Sequence, residues 1–346
     1  MNPVRKIQQD TSYIILTIFS FLLVITSSSI STMPIANSDF GTTNLAYGQP
    51  SQMNSSTANE IDIYKIPVKK TRVSDIDIAY KLLGSGSNVI VLISGGSNTM
   101  NFWDLHLLNE LSTTNNTILI FDSRGIGNST SGNKAFSIKQ FANDTVGLLD
   151  ALGISKKVNV LGFSLGSLIA QEIAYMHPER LNRLILYGSL CGGKEAVPSS
   201  PALIKFTDSL ENPQILQNKS DIEKEKILAN VLFPEKWMQE NPNYLAKIPR
   251  NGVSINPLDA RQLKAAFFSW VQTESCNKLN TIKSPTLVIV GTEDSATPAG
   301  NSLNIVQGIP GAWLVQIKGG GHGVMFQYPQ EFTRILQTFL TTTAAS

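Results

Sequence analysis

The chain has 346 residues, enough for two ordinary domains or for one α/β domain with an insertion. Charged residues make up 16% of it, against roughly 25% in typical soluble chains, and 28 Lys and Arg nearly balance 26 Asp and Glu. This balance argues against a nucleic-acid partner, and two cysteines are too few for a disulfide scaffold or a four-thiolate zinc site.

Residues 1–30 have the pattern of an export signal. Arg5 and Lys6 form a short basic region, and residues 13–26 (YIILTIFSFLLVIT) then carry no charge. An apolar stretch of about 7–15 residues after basic residues is typical of a secretory signal, whereas a membrane span needs about 20 apolar residues. No clear A-x-A cleavage site follows. We therefore expect an exported protein that is either secreted or anchored to the outer face of the membrane by residues 13–30.

Residues 31–60 are rich in Ser, Thr, Asn, Gly, Pro and Gln, and only Asp39 and Glu60 are charged. Such a composition predicts a flexible polar linker that cannot bury a core. N-x-S/T triplets permit glycosylation after export, although a chain rich in Ser and Asn also forms them by chance. They occur at Asn54, Asn115, Asn128, Asn143 and Asn218.

From residue 61 onward the chain alternates between predicted strands and helices. In residues 76–83 every second side chain from Ile76 to Leu82 is apolar, as in a half-buried strand, and later β-branched runs suit strands buried on both faces. This order predicts an α/β fold with a mostly parallel central sheet flanked by helices. The predicted strands are 76–83, 88–93, 117–121, 157–161, 181–187, 286–290 and 313–317, and the predicted helices include 137–152, 165–176 and 328–340.

The alternation is interrupted once, between residues 190 and 283. This segment has no strand-like run, and its apolar side chains recur at helical spacings from Phe206 to Val271. We expect a helical cap here, inserted between two parts of one core at residues 61–189 and 284–346. Most of its aromatic and aliphatic side chains should pack in the core of the cap itself, and some are candidates to line a pocket.

One serine lies in the setting of a catalytic nucleophile. Residues 162–166 (GFSLG) form a G-x-S-x-G sequence directly after a predicted strand and directly before a predicted helix. This context predicts that Ser164 lies on a tight strand-to-helix turn, where the N–H groups of the helix N-terminus face the reacting centre. A glycine-rich turn with an idle serine is the alternative interpretation.

A serine hydroxyl is a poor nucleophile without a base, and the chain contains 3 histidines. His106 lies in the first helical region, and His177 is expected to cap carbonyl groups at a helix end. His322 lies in a glycine-rich loop (GGGHG) between the last strand and the last helix. Because glycines leave this loop open for the imidazole to approach the serine, His322 is the candidate general base.

The base needs an acid that fixes its tautomer, and the reaction needs donors for an oxyanion. Asp294 follows the strand at 286–290 and is the candidate acid, whereas the neighbouring Glu293 is an alternative that we expect to point into solvent. The backbone N–H groups of Gly96 and Leu165 are the candidate oxyanion hole. A plain glycine turn is the alternative interpretation at Gly96.

These motifs together resemble the α/β-hydrolase superfamily, in the branch that carries a helical cap. The three candidates follow the order nucleophile, acid, base along the chain, as in that superfamily. The resemblance covers about residues 62–189 and 284–342, and residues 121–129 (FDSRGIGNS) resemble the branch's D-x-R-G-x-G-x-S segment. It implies that Arg124 is structural rather than catalytic, and residues 177–181 (HPERL) resemble the family's P-E-R turn.

The resemblance implies a serine hydrolase that cleaves a carboxylic ester or related acyl bond through an acyl-enzyme, without a cofactor or a metal. Superfamily members that act on haloalkanes or epoxides use Asp as the nucleophile, which excludes them here. The sequence departs from the motifs of this branch at two positions. Ser94-Gly95 replaces the His-Gly that often precedes the oxyanion residue, and Gln327 replaces a frequent Glu.

Two other functions stay open: a prolyl-iminopeptidase-like peptidase, which would need carboxylates in its cap, and a non-catalytic hydrolase-fold binding protein. The near-neutral charge favours a small-molecule substrate that is uncharged or apolar near the reacting carbonyl.

Cys191 and Cys276 flank the predicted cap, so a disulfide between them would join its two stems if the chain is exported. Two free buried thiols are the alternative.

Overall fold

A computed structural model describes residues 62–201, 220–249, 255–273 and 275–342. The predicted export signal and the polar linker lie outside these residues. Within the described ranges, no helix combines the length and the apolar character that crossing a membrane requires.

Eight strands form a single sheet in the order β1-β2-β4-β3-β5-β6-β7-β8. Strand β2 is antiparallel to its neighbours β1 and β4, and every other neighbouring pair is parallel. The mostly parallel sheet confirms the predicted fold class. The strands are β1 Lys69–Val73, β2 Ile76–Gly84, β3 Asn88–Ile93, β4 Asn116–Phe121, β5 Val158–Phe163, β6 Leu181–Tyr187, β7 Thr286–Gly291 and β8 Trp313–Ile317.

Helices follow most of the parallel strands, and polar side chains mark where several of them begin. The side chain of Ser137 accepts a hydrogen bond from the N–H of Gln140 and begins α2, and Asp104 begins α1 in the same way through Leu107. The α-helices are α1 Leu105–Ser112, α2 Ile138–Ala151, α3 Leu165–Met176, α4 Asp221–Leu232, α5 Glu235–Glu240, α6 Pro257–Val271, α7 Ala299–Gly308, α8 Val324–Gln327 and α9 Pro329–Thr341.

The core consists of one apolar cluster on each face of the sheet. Successive side chains of a strand point to opposite faces, and β3 shows the consequence. Val91 and Ile93 pack in the cluster that contains residues of α2 and α3. Ile90 and Leu92 pack in the other cluster with residues of α1 and α9. Burial on both faces therefore explains the continuous apolar runs in the sequence.

The sequence did not predict every element, and β1 and α7 are the two longest that it missed. Strand β1 (KKTRV) carries three charged residues in five and lies at an edge of the sheet, where the described residues provide no partner strand on one side. Lysines at such an edge oppose aggregation, but they also hide the strand pattern. Helix α7 (AGNSLNIVQG) has no strong helical pattern either, because Gly and Asn interrupt its apolar residues.

The segment between β6 and β7 contains helices α4, α5 and α6, and its described residues contain no named strand. Cys191 and Cys276, at the two ends of this segment, form a disulfide with their Cα atoms 5.0 Å apart. The pairing agrees with the disulfide hypothesis rather than with free thiols. The helices agree with an insertion between two core strands, while the exact boundaries of the five predicted regions stay a prediction.

Arg124 is fully buried and joins three separate parts of the core. Its guanidinium donates to Asp75, in the turn between β1 and β2, at 2.8 and 3.0 Å, and to Asp144 of α2 twice at 2.8 Å. The hydrogen bonds from Arg124 hold the pKa of Asp75 well below its usual range. A guanidinium occupied by two carboxylates has a structural role, as expected for Arg124.

Candidate active site

The candidate site lies where the parallel strands end. Ser164 directly follows β5, Gly96 follows β3, Asp294 follows β7 and His322 follows β8. Because parallel strands end at the same edge of a sheet, four segments that are far apart in the chain meet there.

Ser164 lies on the tight turn that the sequence predicts. Its φ of 52° and ψ of −121° belong to a conformation that residues other than glycine rarely adopt. The flanking glycines let strand and helix approach each other. A Cβ atom at Gly162 would lie 2.3 Å from the carbonyl oxygen of Gly166, and one at Gly166 would lie 2.1 Å from that of Ile93. The serine is therefore held in strained geometry at the N-terminus of α3.

His322 and Asp294 form the pair that the sequence predicts. Nδ1 of His322 lies 2.8 Å from Oδ2 of Asp294, and both residues are about 95% buried (5% and 4% exposed). Glu293, the alternative acid, is exposed as expected. With the carboxylate at Nδ1, the imidazole presents Nε2 as its free nitrogen, and both His322 and Ser164 line one cavity.

Thr297 is a residue of this site that the sequence analysis missed. Its hydroxyl donates to Oδ2 of Asp294 at 2.9 Å and lies 3.3 Å from Nδ1 of His322. The other carboxylate oxygen of Asp294 accepts the N–H groups of Ala296 and Thr297 at 2.9 and 2.8 Å. The short polar sequence D-S-A-T is the available signal, because Asp commonly bonds backbone groups two and three residues later in a turn.

The loop that carries His322 is held from three directions. The hydroxyl of Tyr187 donates to the carbonyl of His322, and burial raises the pKa of this tyrosine well above its usual value. Oε1 of Gln327 accepts the N–H of Gly321 at 2.6 Å, so the glutamine that replaces the family's frequent Glu supports the loop. The carbonyl of Leu232, the last residue of α4, accepts the N–H of Gly323 at 2.7 Å.

The loop after β3, which carries Ser94-Gly95, is held by hydrogen bonds of its own residues. The hydroxyl of Ser94 donates to the carbonyl of Asn98 at 2.8 Å, and the N–H of Asn98 donates to the carbonyl of Gly95 at 2.9 Å. Asp122 then accepts the N–H of Met100 at 2.7 Å, and burial raises the pKa of Asp122. Ser94 therefore supports this loop through its own hydroxyl.

The two candidate oxyanion donors border the same cavity. Gly96 and Leu165 both line it, and neither N–H has a hydrogen-bond partner within the described parts of the chain. An N–H at the start of a helix has no partner inside the helix, so that of Leu165 is free to bind a ligand. The backbone φ of Gly96, 43°, also favours glycine at that position.

The cavity has a volume of about 80 Å³ and mostly apolar walls. Helices α4 and α6 contribute to it through Leu228, Val231, Leu232 and Phe267, so the segment between β6 and β7 covers Ser164. The core contributes apolar residues from the loop after β3, strand β5, helix α3 and the loop after β6. They are Phe102, Phe163, Leu165, Leu168 and Leu190.

The other histidines lie outside the cavity lining. The ring of His177 bonds the side-chain oxygen of Asn143 at 2.8 Å. The expectation that it caps carbonyl groups is therefore wrong, because α2 brings a side-chain partner next to the ring. His106 is half-buried in α1. No cluster of three or more His, Cys, Asp or Glu suited to a metal ion occurs in the described ranges.

Comparison with known proteins assigns the family. Residues 88–329 match the family described as alpha/beta hydrolase fold. The chain belongs to this family. Among curated relatives of this alpha/beta hydrolase, a putative carbamate hydrolase, RutD, from Pseudomonas syringae is 28% identical over 256 residues, covering 73% of this chain and 93% of the relative. A 2-hydroxy-6-oxononadienedioate/2-hydroxy-6-oxononatrienedioate hydrolase from Paraburkholderia phymatum is 26% identical over 272 residues, covering 77% and 92%.

Solved structures agree on the fold. An alpha/beta hydrolase fold protein from Chitinophaga pinensis aligns with a TM-score of 0.67 at 23% identity, covering 81% of this chain and 98% of that one. An enol-lactonase from Burkholderia xenovorans aligns with a TM-score of 0.64 at 23% identity, covering 79% and 100%. Both curated relatives are named as hydrolases, which supports hydrolase activity in this chain.

Proposed function

We propose that this protein is a serine hydrolase that cleaves a carboxylic ester or related acyl bond through a Ser164–His322–Asp294 triad. The hydrogen bond of 2.8 Å between His322 and Asp294, beside a strained Ser164 in one cavity, is the observation that carries the proposal. A non-catalytic binding protein would usually lack part of this arrangement, and each member has a candidate here.

In the proposed reaction, Nε2 of His322 takes the proton of Ser164 as the serine oxygen attacks the substrate carbonyl. The N–H groups of Gly96 and Leu165 stabilise the negative charge that develops on the carbonyl oxygen. The tetrahedral intermediate then expels the alcohol, which receives the proton from His322, and leaves an acyl-enzyme. Water attacks the acyl-enzyme, with His322 as its base, and releases the acid and the free serine.

The cavity favours a neutral acyl group. Among its described lining residues there is no Lys, Arg, Asp or Glu. An anionic group would lose its hydration there without gaining a counter-charge, at a cost of several kcal/mol. The relative from Paraburkholderia phymatum is named for a dioate, and a second carboxylate has no cationic partner in this lining. A peptidase that binds a free amine also lacks a carboxylate partner in the described lining.

Export of the enzyme is part of the proposal. Disulfides form and persist in oxidising compartments, so the Cys191–Cys276 bridge supports the export that the sequence predicts. The predicted signal at residues 1–30 would direct the chain out of the cytoplasm. Whether the signal is cleaved or keeps the enzyme on the membrane is decided by the N-terminal sequence and the mass of the protein recovered from the producing cell.

Substitution of the nucleophile tests the proposed reaction. Ser164→Ala is expected to lower kcat for a p-nitrophenyl ester of a short acid by roughly a thousandfold or more, since no other group supplies the nucleophile. A fluorophosphonate probe should label the wild-type enzyme on Ser164 and leave the variant unlabelled. Steady-state hydrolysis and mass spectrometry of the labelled peptide measure the two effects.

Ser284→Ala is the matched control. Ser284 precedes β7 at the opposite edge of the sheet from Ser164, so the same substitution there should leave both labelling and turnover unchanged. Full activity of Ser164→Ala, or labelling of a different serine, would overturn the assignment.

A further inference from the structure

Asn98 is a buried polar residue of the cavity lining. The residue is 7% exposed and lines the same cavity as Ser164. Its side-chain amide has no hydrogen-bond partner among the described residues. A buried polar side chain in a native protein normally has a partner. An amide without one at the wall of a ligand cavity therefore points to the ligand as its partner.

The other polar side chains of the described lining are already engaged. Ser199 donates to the carbonyl of Ala296 at 2.7 Å, and Thr297 donates to the Asp294 carboxylate. The hydroxyl of Ser164 and Nε2 of His322 are consumed by the proposed reaction. The Asn98 amide is thus the remaining polar side-chain group of the described lining that is available to distinguish one substrate from another.

The backbone presents this amide from a fixed turn. Asn98 receives the hydroxyl of Ser94 on its carbonyl and donates its own N–H to Gly95. Asp122 fixes the following residues through the N–H of Met100. A polar group held in this way loses little conformational freedom on binding, so its hydrogen bond contributes more fully to selectivity.

Because the surrounding walls are apolar, a ligand that fills the cavity without bonding the Asn98 amide should bind less favourably. Phe102, Leu228 and Phe267 provide no hydrogen-bonding side-chain groups. A fully apolar acyl chain would displace water and leave the amide without a partner, whereas a chain with a suitably placed oxygen would satisfy it. Unpaired buried donors are rarer than unpaired acceptors, so the Nδ2–H group is the stronger determinant and an acceptor oxygen is its complement.

We infer that Asn98 is a specificity-determining residue that selects neutral acyl groups carrying an acceptor oxygen, which its Nδ2–H group binds. The inference rests on the proposed function of the cavity as an acyl-binding site. It refines the substrate class from any neutral acyl group to an oxygen-bearing one, such as an ether, a ketone or a hydroxyl-substituted acid.

The test compares esters that differ by one atom. The p-nitrophenyl ester of hexanoic acid is compared with three isosteres in which an ether oxygen replaces the methylene at position 3, 4 or 5. The ratio of kcat/KM for each ether ester to that for the hexanoate ester is measured in the wild-type enzyme and in Asn98→Leu. Intrinsic differences in ester reactivity cancel when the ratios of the two enzymes are compared.

At one ether position the wild-type ratio should exceed the Asn98→Leu ratio by about tenfold, as expected for one hydrogen bond in a dry site. Asn109→Leu makes the same change in α1, outside the described cavity lining, and should keep the wild-type ratios. Equal ratios in wild type and Asn98→Leu at all three positions would overturn the inference.

A binding measurement separates this inference from the proposed reaction. Calorimetry of Ser164→Ala with the matched hexanoyl and ether-containing anilides reports recognition without turnover. A preference for the ether anilide that Asn98→Leu abolishes supports the inference even if the wild-type enzyme hydrolyses no ester. Absence of fluorophosphonate labelling at Ser164 would instead count against the proposed hydrolase reaction alone.

Discussion

The hydroxyl of Thr297 lies between the two members of the proposed acid–base pair, bonded to Asp294 at 2.9 Å and 3.3 Å from Nδ1 of His322. It contacts the pair rather than the reacting atoms, so it is a positioning residue. Thr297→Val keeps the shape and removes the hydroxyl. We expect kcat to fall about tenfold, because a hydrogen bond to a charged group contributes about 1.5–3 kcal/mol and two backbone N–H groups still hold the carboxylate.

Thr297→Ser separates positioning from packing. Serine restores the hydroxyl and removes only the methyl group, so it should recover most of the lost kcat, with KM near the wild-type value in both variants. Steady-state kinetics on one p-nitrophenyl ester measures this. If the valine and serine variants lose activity equally, the hydroxyl has no positioning role.

Ser164 was predictable from its local sequence, whereas the contact between Tyr187 and His322 was not. A strand, a G-x-S-x-G turn and a helix adjoin in the sequence, so the candidate nucleophile is recognisable from neighbouring residues alone. Tyr187 binds the carbonyl of His322 across 135 residues of chain. Nothing near Tyr187 in the sequence indicates that contact, since it depends on the folded arrangement of β6 and the loop after β8.

Strands and helices also differ in whether their own sequence is enough to predict them. Buried parallel strands such as β3 and β6 were predicted at their observed bounds, because burial on both faces requires continuous apolar runs. The edge strand β1 and the helix α7 were missed, because their stability depends more on neighbouring elements than on their own patterns. The helical nature of the segment between β6 and β7 was predictable, but its position over Ser164 needed the structure.

The disulfide joins the two stems of this segment across 85 residues of sequence. By chain-entropy arithmetic, closing such a loop stabilises the folded state by up to about 4–5 kcal/mol. Cys191→Ser/Cys276→Ser should therefore lower the free energy of unfolding by up to that amount in urea titrations. Activity at 25 °C should persist, because backbone hydrogen bonds from Cys276 to Gly192 at 3.2 Å and from Gly193 to Val271 at 2.9 Å also join the stems.

A reducing agent provides the matched control for this prediction. It should lower the urea midpoint of the wild-type protein to that of the double variant and leave the double variant unchanged. Two titratable thiols in the denatured, unreduced wild-type protein would show that the bridge is not formed.

Arg124 links the β1–β2 turn, the loop after β4 and helix α2, so its ion pairs bear on the stability of the whole molecule. Its hydrogen bonds lower the pKa of Asp75 below the ordinary value of 3.8. Between this value and the lower folded-state pKa, the unfolded chain binds a proton at Asp75 that the folded chain does not. The stabilisation by the pair is therefore complete above about pH 5 and is lost progressively as the pH falls below about 4.

Asp75→Asn tests this acid dependence. The amide cannot ionise, so the variant should be less stable than wild type by about 3 kcal/mol at pH 7, where removing one partner leaves part of a buried pair uncompensated. The difference should shrink as the pH falls from 4 towards 2, because only the wild-type protein then loses the ion pair. Urea unfolding from pH 7 to pH 2 measures how the free energy of unfolding of each protein changes with pH.

Asp150→Asn, in an exposed pair with Arg180, is the control and should lower the free energy of unfolding by no more than about 1 kcal/mol at pH 7. A constant difference between wild type and Asp75→Asn at every pH would mean that the Arg124–Asp75 pair does not set the acid limit of the fold.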